Sequence, residues 1–223
     1  MFSVIFEVEP KRERFDEYLR LAKELKPILE SMAGFVDNER FESRVRDGRI
    51  LSHSTWRDEK SLVRWRTEGR HYAVQKLGRS RVFEDYHLRV GDVVFDSAPT
   101  GAAPVRELRF DETEIGHAKY VTLTELIPDA NVISDLAPDQ VLALVNLKPD
   151  APGLSDQDVF ASIYHPGKFA ILASWRTRPD AEGSRPSVTP GVKHIRHRVI
   201  RIVRDYGMFD RREAPQFFPE ARR

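Results

Sequence analysis

One stretch of this chain is written twice. Phe160-Ala-Ser, Pro166-Gly167 and Ala173-Ser-Trp175-Arg176 answer Phe41-Glu-Ser, Asp47-Gly48 and Ser54-Thr-Trp56-Arg57, each 119 positions earlier. Near the end, Ile202-Val-Arg-Asp-Tyr206 echoes Val82-Phe-Glu-Asp-Tyr86 at an offset of 120. Matches at one period across different elements indicate an internal repeat. A chain of 223 residues has room for two domains of ordinary size. The expectation is two copies of one fold: 1–96, a linker 97–119 rich in Ser, Pro, Gly and Ala, a second copy 120–210, and a tail 211–223.

Within the first copy the periods change in order. Phe2, Val4, Phe6 and Val8 alternate, as in a strand with one buried side. Phe15, Leu19, Ala22, Leu25 and Leu29 recur at three- and four-residue steps, an apolar helical stripe in which Pro27 predicts a kink or break near Lys23. Gly34 is placed to end that helix in the left-handed conformation. Two β-rich runs, Phe35–Ser43 and Arg49–Trp56, flank the turn signal Arg46-Asp47-Gly48. A helix opens at Asp58, whose carboxylate can cap it, and Val82–Phe95 closes the unit as a strand. The order β-α-β-β-α-β is the ferredoxin-like arrangement. The second copy is the poorer one. Pro138, Pro149 and Pro152 interrupt its first helical region, and the Pro- and Gly-rich run after Trp175 leaves no room for an ordinary helix.

Composition excludes several classes. Basic and acidic residues number 36 and 35, so there is neither the basic excess of a nucleic-acid protein nor a polybasic membrane anchor. No apolar run approaches the roughly 18 residues of a spanning helix. The N-terminus turns acidic too early for a signal peptide, which makes a cytoplasmic protein the expectation. With no cysteine, thiolate metal sites, disulfides and cysteine nucleophiles are out. No glycine-rich nucleotide-binding motif occurs. His194 and His197 are three apart in an expected strand, hence on opposite faces, with no carboxylate partner in view. The Arg-rich run from Arg196 to Arg223 reads as a solvated face.

Gly34-Phe35, Arg40-Phe-Glu-Ser43, the run Leu51-Ser-His-Ser-Thr-Trp-Arg-Asp-Glu59, Trp65-Arg66, His71 and Gln75…Gly78-Arg79 together resemble the antibiotic biosynthesis monooxygenase family. The likeness covers most of 1–96, then one hairpin, the closing strand and Asp205–Pro215. It implies an α+β protein of two tandem ferredoxin-like domains whose sheets pack face to face as a dimeric α/β-barrel, the second domain degenerate. The chain would then be an intramolecular pseudo-dimer, with a homodimer of the whole chain left open. The resemblance further implies a pocket between the second helix and the sheet. There a polycyclic phenol or quinone-type molecule would meet O₂ without metal, flavin or other cofactor.

On that reading Trp65, His71 and Tyr72 are the catalytic candidates. Six residues at about 100° each set Trp65 and His71 roughly 120° apart on one helix, able to border a cleft but not to stack. His71 can take a phenolic proton, while Tyr72 and Trp65 can donate hydrogen bonds. His53 points opposite to Ser52 and Ser54 on its strand, and either face can wall the substrate site. Plainer readings compete: an aromatic helix face is also what a core looks like, and Trp56 matching Trp175 argues a shared structural role. Two alternatives stand beside the monooxygenase. One is haem binding or degradation, because a branch of the family uses this fold for haem. Here, though, the first strand lacks that branch's Asn, and Trp65 and His71 lie closer together than there. The other is a non-catalytic small-molecule-binding module.

Overall fold

The computed structural model describes residues 1–99, 111–129, 135–187, 189–219 and 221. The chain runs β1 (Phe2–Pro10), α1 (Phe15–Ser31), β2 (Phe35–Ser43), β3 (Ile50–Trp56), α2 (Glu59–Thr67), α3 (Gly69–Leu77) and β4 (Phe83–Asp96). It continues with β5 (Tyr120–Pro128), α4 (Pro138–Leu144), β6 (Leu154–Ser162), β7 (Phe169–Trp175), α5 (Arg178–Gly183) and β8 (Val192–Gly207). The eight strands close into one antiparallel barrel in the order β1-β3-β2-β6-β7-β5-β8-β4. The halves therefore meet edge to edge through hydrogen bonds rather than face to face, and the barrel leaves no open edge among these strands.

The two seams share a pattern. At β2–β6, Phe41 pairs with Ser162 and Ser43 with Phe160, so the pairing is two-fold about Glu42 and its equivalent Ala161. At β4–β8, Gly91 pairs with Ile202 and Val93 with Ile200. Ile5 pairs with Arg89 and Leu123 with Arg198, which makes Arg198 the structural counterpart of Arg89. The last strands are thus offset by 109, not by the 120 of the Val82 and Ile202 echo. The connection before β8 is shorter than the helix-bearing one before β4, and β8 runs past the end of β5 onto the first half.

Closure buries both faces of the strands. On β1, Ile5 joins the barrel's apolar centre with Phe41, Leu51, Leu123, Phe160 and Ile200, while Val4 and Phe6 pack beneath the helices. The centre is capped by paired charges. Arg89 bonds to Glu7, and Arg198, its counterpart, bonds to Glu125. Arg198 is 1% exposed, and Arg196 is also buried, held by Asp37 and Asp96. The start of the Arg-rich run is therefore interior, because pairing inside a low-dielectric barrel offsets the cost of burying each charge.

Local chemistry accounts for the helices. α1 passes through Pro27 without ending, and Gly34 follows it at φ 89°. A Cβ at Gly34 would lie 2.0 Å from Ser61 Oγ, so only glycine fits there. Asp58 caps α2 by accepting from Ser61 N at 2.7 Å. The helix expected to run on from Asp58 breaks at Glu68, whose carboxylate accepts from His71 N at 2.7 Å and starts α3 anew. In the second half two short helices do form, since Pro138 and Pro179 fall in first turns, where a missing N–H costs nothing. Trp56 and Trp175 are both buried and donate to a hydroxyl, of Ser54 at 3.0 Å and Thr122 at 2.9 Å. The middle of the expected linker, 100–110, lies outside the described residues. Thr113 N bonds to Ile202 O at 2.9 Å.

Candidate active site

The outer face of the first half's sheet floors a cavity of about 180 Å³. Strand register explains the floor. Arg40 pairs with Ser52, Ser52 with Phe6, Phe6 with Leu88 and Leu88 with Tyr206, giving one row across β2, β3, β1, β4 and β8. Four strand spacings make that row roughly 19 Å long. Asn38, Ser54, Val4 and Val90 form the next row. The roof is Tyr18, Leu21, Leu25 and Leu29 of α1, Leu62 and Trp65 of α2, and His71, Val74 and Gln75 of α3. Residues beyond β8 close one end. Arg211, Gln216 and Phe218 line the cavity, and Gln216 Nε2 donates to Arg66 O at 3.1 Å.

The break at Glu68 changes the geometry of the helical candidates. His71 folds back so that its ring stacks on Trp65, centroids 4.0 Å apart and 11° from parallel, where one continuous helix would have held them apart. Trp65 in turn stacks on Trp56 at 6.3 Å. His71 Nδ1 lies 2.8 Å from Trp65 O, which fixes the proton on Nδ1 and leaves Nε2 as an acceptor, 3.5 Å from the Gln75 amide. Burial pushes its pKa down to about 4, against the opposing pull of the Trp65 carbonyl and Glu68. At neutral pH this is a neutral imidazole whose Nε2 lone pair faces the Gln75 amide.

The other candidates divide between two regions. Ser52 and Ser54 are on the cavity floor. His53, between them in sequence, points into the barrel, where it meets Ser3 Oγ at 2.7 Å and Arg198. Tyr72 lies outside the cavity, 41% exposed, its ring stacked on Phe218 at 5.4 Å. His197 is buried in the second half, bonded to Thr124, while His194 is exposed. Among the described residues no cluster of three metal-ligating side chains occurs. Nor is any helix there long and apolar enough to cross a membrane.

Sequence reasoning missed the cavity's cations. Lys26, Arg40, Arg66, Arg79 and Arg211 line it, and the lining residues include no carboxylate. Arg40 sits beside Tyr18, whose phenol burial pushes up despite that guanidinium. Arg66 Nε is buried without a hydrogen-bond partner, and no ion pair holds its guanidinium among the described residues. Tyr86 accepts from Arg79 and Arg211, and burial raises Tyr206 to about 12. The signal was present in Gly78-Arg79 and in the Asp205–Pro215 stretch, but nothing in the chain order placed them together.

Comparison with known proteins identifies the family. The model of the antibiotic biosynthesis monooxygenase family matches residues 1–77. A protein of Pyricularia oryzae named jasmonate monooxygenase ABM is 42% identical over 226 residues, covering 99% of this chain and 100% of that protein. Solved structures similar to it include an antibiotic biosynthesis monooxygenase, 20% identical with TM-score 0.39 over 42% of this chain and 99% of that one. An anthrone oxidase-like protein is 13% identical with TM-score 0.35, covering 96% of each chain. With a relative so similar along its whole length, the chain belongs to the antibiotic biosynthesis monooxygenase family, and it is an oxidoreductase.

Proposed function

We propose that the cavity over the first half binds a small amphipathic organic acid and presents one of its carbons to O₂. One observation carries this reading: an apolar cavity lined by five cations and no carboxylate. Apolar walls suit a hydrocarbon body, and Arg66, with a buried unpartnered Nε, suits its carboxylate. The relative's name points the same way, since jasmonate is an organic carboxylate. The aromatic walls, among them Phe6, Trp65, Phe83 and Phe218, favour the polycyclic phenol as a second reading.

His71 Nε2 is the acceptor for a substrate proton, with its ring held by Trp65. Its lowered basicity suits a transient hydrogen bond rather than a lasting imidazolium. Taking an activated CH₂ to C=O with one O₂ releases one water and draws all four electrons from the substrate. Inserting one oxygen into a C–H bond also releases water but needs two further electrons and two protons, a hydride from a donor and one proton from solvent. The family's chemistry without metal or flavin is the first of these.

We read the architecture as two ferredoxin-like units, 1–96 and 120–210, joined by 97–119, with a tail 211–223 whose residues 211–219 lie on the first unit. The symmetric seams support that reading: the chain supplies its own sheet partner.

The test is oxygen uptake with jasmonate, its methyl ester and anthrone, in chelator, without flavin, with and without NADPH. Preference for the acid over the ester by at least about tenfold in KM, lost in Arg66→Ala, is the expected result; one charge-assisted hydrogen bond is worth about 1.5–3 kcal/mol. Uptake with anthrone alone moves the assignment to the phenol. No uptake in any mixture, or a Soret band on adding haemin, overturns the reading.

A further inference from the structure

Tyr86 on β4 lines the cavity and is 8% exposed. Its oxygen receives two hydrogen bonds, from Arg79 Nη1 at 2.7 Å and from Arg211 Nη1 at 2.6 Å. A phenol oxygen has two acceptor positions and one proton to give. Both acceptor positions are taken by guanidinium donors, and the proton has no acceptor among the described residues. The two arginines are themselves held in place. Arg79 also donates to Met208 O at 3.0 Å and Pro219 O at 3.2 Å, and Arg211 to Gln216 O at 2.8 Å. Phe218 lies against both guanidinium groups, 5.5 and 5.3 Å from its ring centre. Tyr86 is therefore fixed with its acceptor side closed, and two cationic donors on one oxygen strengthen the O–H that remains.

We propose that Tyr86 donates its phenolic hydrogen bond to the substrate oxygen on which negative charge develops. Arg79 and Arg211 act as positioning residues that close its lone pairs. This rests on the cavity being the substrate site. The ligand atom it selects is a ketone, enolate or phenolate oxygen near the reacting carbon, distinct from any carboxylate held by Arg66. Arg211 comes from beyond β8, so the donor is complete only when the segment after the last strand is seated on the first half.

The test uses the full chain. Tyr86→Phe keeps the ring that packs on Phe6 and Phe83, at 5.5 and 6.0 Å, so the fold should hold. Loss of one donor to a developing oxyanion should lower kcat by about 10²–10³-fold, with KM for the same substrate moving much less. Arg211→Ala should lower kcat too, Arg211→Lys should recover part of it, and Arg211→Ala should add nothing in the Tyr86→Phe background. A merely structural arginine would cost the same in both backgrounds, and that outcome would end its positioning role. The cavity itself is tested separately by Leu25→Trp, which fills it. If Leu25→Trp abolishes turnover and Tyr86→Phe leaves kcat unchanged, the cavity reading stands and this proposal falls. If Leu25→Trp leaves turnover intact, both fall. Should Tyr86→Phe lose its cooperative melting transition, the Arg211→Ala and Arg211→Lys pair decides, equal kcat in both and in wild type being the overturning result.

Discussion

His53 sits in the barrel where a proton is least welcome. Arg198 Nη1 lies 3.1 Å from Nδ1 and 3.2 Å from Nε2, and Nε2 is 2.7 Å from Ser3 Oγ, so a guanidinium faces the ring. Protonation would set an imidazolium against a guanidinium in a site 1% exposed. Burial first, then Arg198, bring its pKa from 6.5 down to about 3, despite Asp37 and Glu125 nearby. The sign follows from linkage. Between those two values the unfolded chain binds the proton and the folded chain does not, so stability falls as pH drops below about 6.5 and stops falling near 3. At about pH 4.5 the loss from this one group is on the order of 3 kcal/mol, at roughly 1.4 kcal/mol per pH unit. His71 and His197, both pushed to about 4, act in the same direction. His53→Gln can still accept from Arg198 and donate to Ser3 while binding no proton. Urea unfolding at pH 7 and pH 4.5 should show the variant losing about 2–3 kcal/mol less than wild type over that interval. An identical pH slope in the two proteins would refute the assignment of His53 as a buried neutral imidazole.

Trp175→Ala should destabilise by about 3–5 kcal/mol, read as a lowered melting temperature, since the ring is 2% exposed and the change also strands the Thr122 hydroxyl. Ligand affinity should survive it, because Trp175 packs in the second half with Tyr120, Ala181 and Val199. Loss of binding at unchanged stability would contradict that placement. Residues 1–96 alone would bare the β2 and β4 edges that the seams satisfy, so sedimentation should find a self-associating fragment. A monomer melting at the whole chain's temperature would argue against pairing of the halves as a condition of folding.

The hairpins and strands of the first half were legible because alternation and a turn glycine are local signals, and Gly48 indeed takes φ 74°. The Asp58 cap was legible for the same reason. Most of what escaped was set by contacts distant in sequence, and the break at Glu68 is the local exception. The break at Glu68 turns on a carboxylate reaching His71 N, and a glycine next to it is tolerated in many helical patterns. Arg196 and Arg198 look like surface residues until closure brings Asp37, Asp96 and Glu125 to them. The candidate site divides likewise. Trp65, His71, Ser52 and Ser54 share a cavity that the family resemblance anticipated. Arg211 joins Arg66, Arg79 and Tyr86 only because β8 is registered onto β4.

The seams at β2–β6 and β4–β8 have a consequence for how such a barrel can change. Were the halves two identical chains, every substitution would land twice, and each gain at one cavity would be repeated at its mirror image. Covalent linkage removes that constraint. A tyrosine at the end of β8 or an arginine after it need suit one neighbour only, and Tyr206, Arg211 and Phe218 all serve the opposite half. The half that gives them can meanwhile shorten its helices to seven and six residues and keep its strands for closure. Two halves in one chain supply the barrel, and their asymmetry lets one side become the host and the other its wall.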